Sequence, residues 1–182
     1  MEHTEMTNTT DRTKSATLGL IISAILFWGL LIAFDLWTKT IAAAALQSGS
    51  IPLIPGVLEL YYLENTGAAF SLLENAQWLF ILIAAVVVVL IGIFLRKLPK
   101  TRRHLPLFLT LIFISAGAVG NLIDRIQLGY VRDFIYISLI NFPVFNVADM
   151  YVTMATAVLV LLVLFYYKDE DFAFLQKPDA AQ

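Results

Sequence analysis

The chain has 182 residues, 59% of them hydrophobic and 14% charged, with a formal net charge of -2 and a mean hydropathy of +0.80. That balance is too apolar for an ordinary soluble domain of this length. It also excludes disorder, which pairs low hydrophobicity with high net charge. No nucleic acid is expected as a partner, because binding one needs a cationic footprint. With no cysteine there is no disulfide, thiolate metal ligand or cysteine nucleophile.

From the N-terminus, the polar stretch 1–14 reads as a disordered cytoplasmic tail. Four runs free of Asp, Glu, Lys and Arg then follow: Ser15–Phe34, Asn75–Leu95, Leu105–Ile123 and Met150–Tyr167. At about 1.5 Å per residue, roughly 20 apolar residues cross a hydrocarbon core of about 30 Å. The runs are continuous rather than alternating, which predicts helices instead of barrel strands. The fold class is an all-α membrane protein, a four-transmembrane-helix bundle with helices over about 15–38, 75–95, 105–123 and 149–167. One membrane domain spans 15–167, and 168–182 forms a cytoplasmic tail. The first run is longer than the core of about 7–15 residues in a cleaved signal peptide, so it is expected to stay as a helix.

The basic residues orient the bundle. Arg96, Lys97, Lys100, Arg102 and Arg103 lie between the second and third runs, and Arg12, Lys14, Lys168 and Lys177 lie in the tails. Only Lys39, Arg125 and Arg132 fall on the other side. The positive-inside rule therefore places both termini in the cytoplasm and the polar chemistry on the outer face. The outer connections are long, about 45–74 and 124–148. Within the first, the aromatic and branched content of Val57–Leu63 favours a strand. The second holds an apolar stretch broken by Pro143, suited to the membrane surface.

Charged and amide side chains at the ends of spans need partners. Asp35 and Lys39 are four apart on one helix face, either an interfacial anchor or part of a site. Asn65 and Gly67 belong to Asn65-Thr-Gly-Ala-Ala-Phe-Ser71, either a turn or a surface offered to an extended ligand. Asn121, Asp124 and Arg125 share one side of the third helix, where the charged pair could cap it but the amide has no task in lipid. Asp149 opens the fourth span one turn after Asn146, a position that the helix dipole alone would favour. Asp133 sits in an apolar segment where a solitary carboxylate is costly. If Asp133 and Asp149 meet, one can hold a proton while the other stays ionised, which activates water and protonates a leaving amine. His3 and His104 lie on the cytoplasmic side, so a serine triad or zinc site has no histidine on the outer face. A proton-coupled transporter is the rival reading, opposed by carboxylates gathered at one face and by the lack of an inverted repeat. A non-catalytic scaffold at the lipid interface is a third.

Five blocks carry a resemblance. Asp35-Leu-Trp-Thr-Lys39, Asn65-Thr-Gly-Ala-Ala-Phe70, Gly120-Asn-Leu-Ile-Asp-Arg125, Val131-Arg-Asp-Phe134 and Phe145-Asn-Val-Ala-Asp149 resemble, in this order, those of the lipoprotein signal peptidases (signal peptidase II). The resemblance implies an aspartic endopeptidase of the bacterial inner membrane. Such an enzyme cuts the signal peptide from prolipoproteins just before a cysteine carrying a diacylglyceryl group. It implies Asp133 and Asp149 as the catalytic dyad, and Asn121, Arg125 and Asn146 as residues orienting substrate and carboxylates. Asp35 and Lys39 would support the site, and Asn65 and Gly67 would belong to a substrate-facing outer loop. That loop would form a small extracytoplasmic β-sheet on the membrane, and the segment after Asp133 a mobile clamp. The interval from Asp133 to Asp149 is a few residues shorter than in some members. No metal or organic cofactor is implied; the partners are the diacylglyceryl-prolipoprotein and membrane lipid, and the enzyme is expected to be a monomer.

Overall fold

The computed structural model describes residues 2–67 and 77–175, with side chains from residue 18 onward. Ala68–Ser71 of the asparagine-glycine motif therefore lie outside the described residues. Among the described residues, four helices are long and apolar enough to cross a membrane: Leu18–Ala45, Gln77–Lys97, Leu105–Leu128 and Val147–Tyr166. The first belongs to a longer helix, α1 (Glu2–Ala45). The stretch from Glu2 to residue 14, expected as a disordered tail, instead continues α1, since no Pro or Gly between Glu2 and Leu18 stops a helix. The other three are α2 (Gln77–Lys97), α3 (Leu105–Leu128) and α4 (Val147–Leu161), the last extended by a π-helical turn, Leu162–Tyr166.

Both α1 and α3 run past the charges at which the apolar runs end. The buried side of α1 is a stripe one residue wide, Ile32, Asp35, Lys39 and Ala42, continued just past the helix by Leu46. Spacings of three and four keep these on one face, so Asp35 and Lys39 point into the bundle while their neighbours face outward. Helix α3 is central and packs against α1, α2 and α4. Its Gly117 and Gly120 let the other helices approach. A β-carbon on Gly117 would meet the Ala148 carbonyl oxygen and come within 2.8 Å of Val152 Cγ2, and one on Gly120 would strike the Asp35 carboxylate.

Gly117→Ala is therefore expected to destabilise. Overpacking costs about 1–3 kcal/mol, and the better helix propensity of alanine returns about 1 kcal/mol. Because the clash is with backbone at the start of α4, the cost falls near the top of that range, and a net loss of about 2 kcal/mol, read as a lower Tm in detergent, is expected. An unchanged or raised Tm would mean that α3 and α4 are not held this close.

One end of the bundle carries a three-stranded antiparallel sheet, order β1-β2-β3. Strands β1 (Ile51–Ile54) and β2 (Leu58–Asn65) are joined by Pro55-Gly56-Val57, with Gly56 at φ +71. Pro52 falls on the edge strand, where its missing N–H costs no ladder bond. The third strand, β3 (Val131–Tyr136), comes from the second connection, so the sheet is not confined to the first loop as expected. After β3 the chain makes a short 3-10 turn, Ser138–Ile140, and Phe145 folds back to pair with Ile135. That return places Asn146 beside Asp133. At the opposite end, the 3-10 segment Asp169–Leu175 docks on the loop before α3: Arg103 grips Asp171 at 2.8 and 3.0 Å, and His104 Nε2 donates to the Asp171 carbonyl at 2.9 Å.

Candidate active site

Asp133 lies on β3, 1% exposed. Asn65 sits diagonally across on β2, paired with Val131 while Asp133 pairs with Leu63, a spacing that side chains can bridge. Asn65 Nδ2 donates to Asp133 Oδ2 at 2.8 Å, and its own Oδ1 accepts from the Gly67 N–H at 2.8 Å. The second bond fixes the amide, so its nitrogen must face the carboxylate. Gly67 has φ +90 and a β-carbon there would lie 2.7 Å from the Phe80 ring, so glycine is required on both grounds.

Asp149 is held by helix capping. Asn146 is the N-cap of α4; its Oδ1 accepts from the Asp149 N–H at 3.0 Å, and Asp149 Oδ2 accepts from the Asn146 N–H at 3.1 Å. This reciprocal box satisfies two N–H groups that a helix start leaves open. Asn146 does more than cap, because its Nδ2 donates to Asp133 Oδ1 at 2.6 Å and to Asn121 Oδ1 at 3.1 Å. Asn121 Nδ2 in turn donates to Asp149 Oδ1 at 2.7 Å. Two amides thus link the two carboxylates.

Behind them is a buried ion cluster. Lys39 Nζ lies 2.9 Å from Asp35, 3.5 Å from Asp124 and donates to Asn121 Oδ1 at 2.8 Å. Asp35 Oδ1 accepts from the Ala148 N–H at 2.8 Å, tying α1 to the start of α4. Asp124 is gripped by Arg132, Nη2 at 2.7 Å and Nε at 3.2 Å. Arg125 faces Asp149, Asp133 and Asp124 and stands 5.1 Å from the Phe80 ring centroid.

All nine residues that the resemblance assigns to the site gather at the sheet end of the bundle. Asp124 and Arg132 join them: Asp124 is a buried charge rather than a helix-end anchor, and Arg132 carried only its place beside Asp133 as a signal. Burial dominates the electrostatics of Asp133 and pushes its carboxyl up from 3.8 to about 6, with Asp149 adding like charge and the Asn65 and Asn146 amides opposing. The cluster holds four carboxylates, Asp35, Asp124, Asp133 and Asp149, against three cations, Lys39, Arg125 and Arg132. One proton makes it neutral, and buried charge strongly favours neutrality. Among the described residues, no group of three or more His, Asp or Glu side chains is arranged to hold a metal ion.

Comparison with known proteins gives a consistent result. The family model described as "Signal peptidase (SPase) II" matches residues 27–165. Lipoprotein signal peptidases of Streptococcus pyogenes serotypes M6 and M5 are each 40% identical over 146 residues, covering 79% of this chain and 91% of theirs. A solved bacterial membrane enzyme, determined by the in meso method at 1.9 Å, superposes with TM-score 0.70 at 28% identity, over 80% of this chain and 94% of that one. A second, at 2.3 Å, gives 0.69 at 26% identity over 87% and 94%.

Proposed function

This chain belongs to the signal peptidase II family, and on that premise we propose which residues do the chemistry and how. It is a multi-pass bacterial membrane protein and an aspartic peptidase that removes signal peptides from prolipoproteins. In our reading Asp133 and Asp149 are the catalytic pair, sharing one proton. Asp149, half-buried at the edge of the cluster, accepts a proton from a water whose oxygen attacks the scissile carbonyl carbon. Asp133, buried and raised, carries the shared proton and gives it to the carbonyl oxygen; as the C–N bond breaks, the leaving nitrogen takes the proton from Asp149, and a hydroxyl of the tetrahedral intermediate returns one to Asp133. The products are a signal peptide ending in a carboxylate and a lipoprotein beginning with a free amine.

The observation that carries this reading is Asn146, one side chain that caps Asp149 and also donates to Asp133. Capping alone explains Asp149 but leaves no reason to bury a carboxylate against that amide. Asn121 and Asn65 hold the remaining carboxylate oxygens, Lys39 and Asp35 secure Asn121 and α4, and Arg125 keeps positive charge beside the pair.

The site lies at the sheet end, which the distribution of basic residues assigns to the extracytoplasmic face, with both termini in the cytoplasm. The substrate is the diacylglyceryl-modified prolipoprotein, cut before its lipidated cysteine by a monomeric enzyme. Its acyl chains already sit in lipid, so their role is placement rather than affinity, setting the scissile carbonyl level with the pair. Purified protein in detergent, given synthetic prolipoprotein with and without the diacylglyceryl group, is expected to cleave only the lipidated form. Equal cleavage of both would refute the substrate class, and no cleavage by a folded wild type would refute the reaction.

A further inference from the structure

We propose that Arg132 is a positioning residue that sets the protonation of the aspartate pair by neutralising Asp124 and so leaving Lys39 free for Asn121. The inference rests on Asp133 and Asp149 being that pair. Arg132 is adjacent to Asp133 in β3, yet its side chain turns the other way. Nη2 and Nε take both oxygens of Asp124, the Arg132 backbone N–H donates to Asp124 Oδ2 at 3.1 Å, and Nη1 donates to Thr40 Oγ1 on α1 at 3.2 Å. A fork on both oxygens of a fully buried carboxylate is the strongest pairing available to that group.

The geometry of Lys39 follows from this. With Asp124 already paired, Lys39 keeps only a 3.5 Å contact with it and makes its short contacts to Asp35 and Asn121. Asn121 passes that interaction to Asp149 through its own Nδ2. Without Arg132, Lys39 is the cation among the described residues that remains within reach of both Asp35 and Asp124. It would move towards Asp124 and away from Asn121, and the cluster would go from four acids against three cations to four against two.

The other charged or titratable groups facing the Asp124–Arg132 pair are few. Asp35 and Lys39 come from α1, and Arg125 from α3 itself. From β2 come Tyr62 and Glu64, the latter the cross-strand partner of Arg132. Tyr62 is pushed up to about 12 by burial and stays neutral in any working range. The surplus of one negative charge therefore falls on the group able to take up a proton beside the substrate, the aspartate pair.

The test is the pH profile of kcat/KM, whose alkaline limb reports loss of the pair's proton in the free enzyme. Arg132→Gln is expected to move that limb up by about one pH unit, the scale of one charge removed at an effective dielectric of about 20. Arg132→Lys, which keeps the charge, is expected to keep the wild-type limb. Asp124→Asn removes an acid instead and is expected to move the limb down, and the double variant Arg132→Gln/Asp124→Asn to bring it back. If Arg132→Gln does not fold, the other three profiles still decide. Profiles that superimpose on wild type, with only kcat or Tm lowered, would make Arg132 merely structural and overturn the inference. Cleavage retained by Asp133→Asn would instead refute the pair itself.

Discussion

Asp133→Asn is expected to abolish cleavage, by at least about a thousandfold, and to change how the stability of the protein responds to pH. Burial raises this carboxyl from 3.8 to about 6. Between those values the folded chain holds a proton that the unfolded chain has released. Wild-type stability is thus greatest below the lower value and falls as pH rises through the upper one. At 1.36 kcal/mol per unit, the loss amounts to about 3 kcal/mol by pH 7. Asparagine does not titrate, so relative to wild type the variant gains that amount between pH 4 and pH 7. It starts from a deficit, because both Asp133 oxygens accept from amide nitrogens that cannot turn: Asn65 is fixed by Gly67 and Asn146 by Asp149. The asparagine NH2 then faces a donor, at a cost of about 1–3 kcal/mol. Thermal scans in detergent should find the variant less stable than wild type near pH 4 and level with it or better near pH 7. Parallel pH dependences would mean that Asp133 is not raised.

Lys39→Met is expected to be the most destabilising single change at the site. Lys39 is fully buried and pairs with Asp35, which is equally buried. Removing one partner of a buried pair costs about 3–5 kcal/mol, because the other charge stays behind unpaired. For a chain of this size that corresponds to roughly 10 °C in Tm. Arg132 still covers Asp124, so the penalty falls on Asp35 and on the unsupported Asn121 oxygen. Asp35→Asn combined with Lys39→Met should therefore be less destabilised than Lys39→Met alone. The amide oxygen can still accept from Ala148, and no uncompensated charge remains. A double variant as unstable as the sum of the two singles would show that the pair is not what the lysine is buried for.

Much of this arrangement can be read from the order of residues, and what cannot has a physical reason. Runs without charge locate the four helices well, but the expected ends near 38 for α1 and 123 for α3 fall short of Ala45 and Leu128, where the helices stop. The charges that end the runs are tolerated because they lie on the buried stripe and find each other there. Spacing places Asp35 with Lys39, and Asn121 with Asp124, since these are neighbours within one helix. Asn146 and Asp149 are legible as residues one turn apart at the start of the fourth span, but their reciprocal cap is seen only in the structure. What spacing does not contain is β3 pairing with β2 across more than sixty residues, or Phe145 returning to Ile135. Those non-local contacts bring Asn65 and Asn146 to Asp133. Arg132 is the clearest case: alternation along β3 turns it away from Asp133, and only the packing of β3 against α3 gives it Asp124.

In the proposed mechanism Asp133 and Asp149 act as one unit on the scissile bond. The most direct measurement is single-turnover cleavage of a lipidated prolipoprotein by wild type, Asp133→Asn, Asp149→Asn and the double variant, with the cut site read by mass spectrometry. Residues that act as a unit are not additive in their losses. Cleavage by wild type before the lipidated cysteine, with each single variant as inactive as the double, is the expected result. Substantial cleavage by either single variant, or losses that multiply in the double, would contradict it.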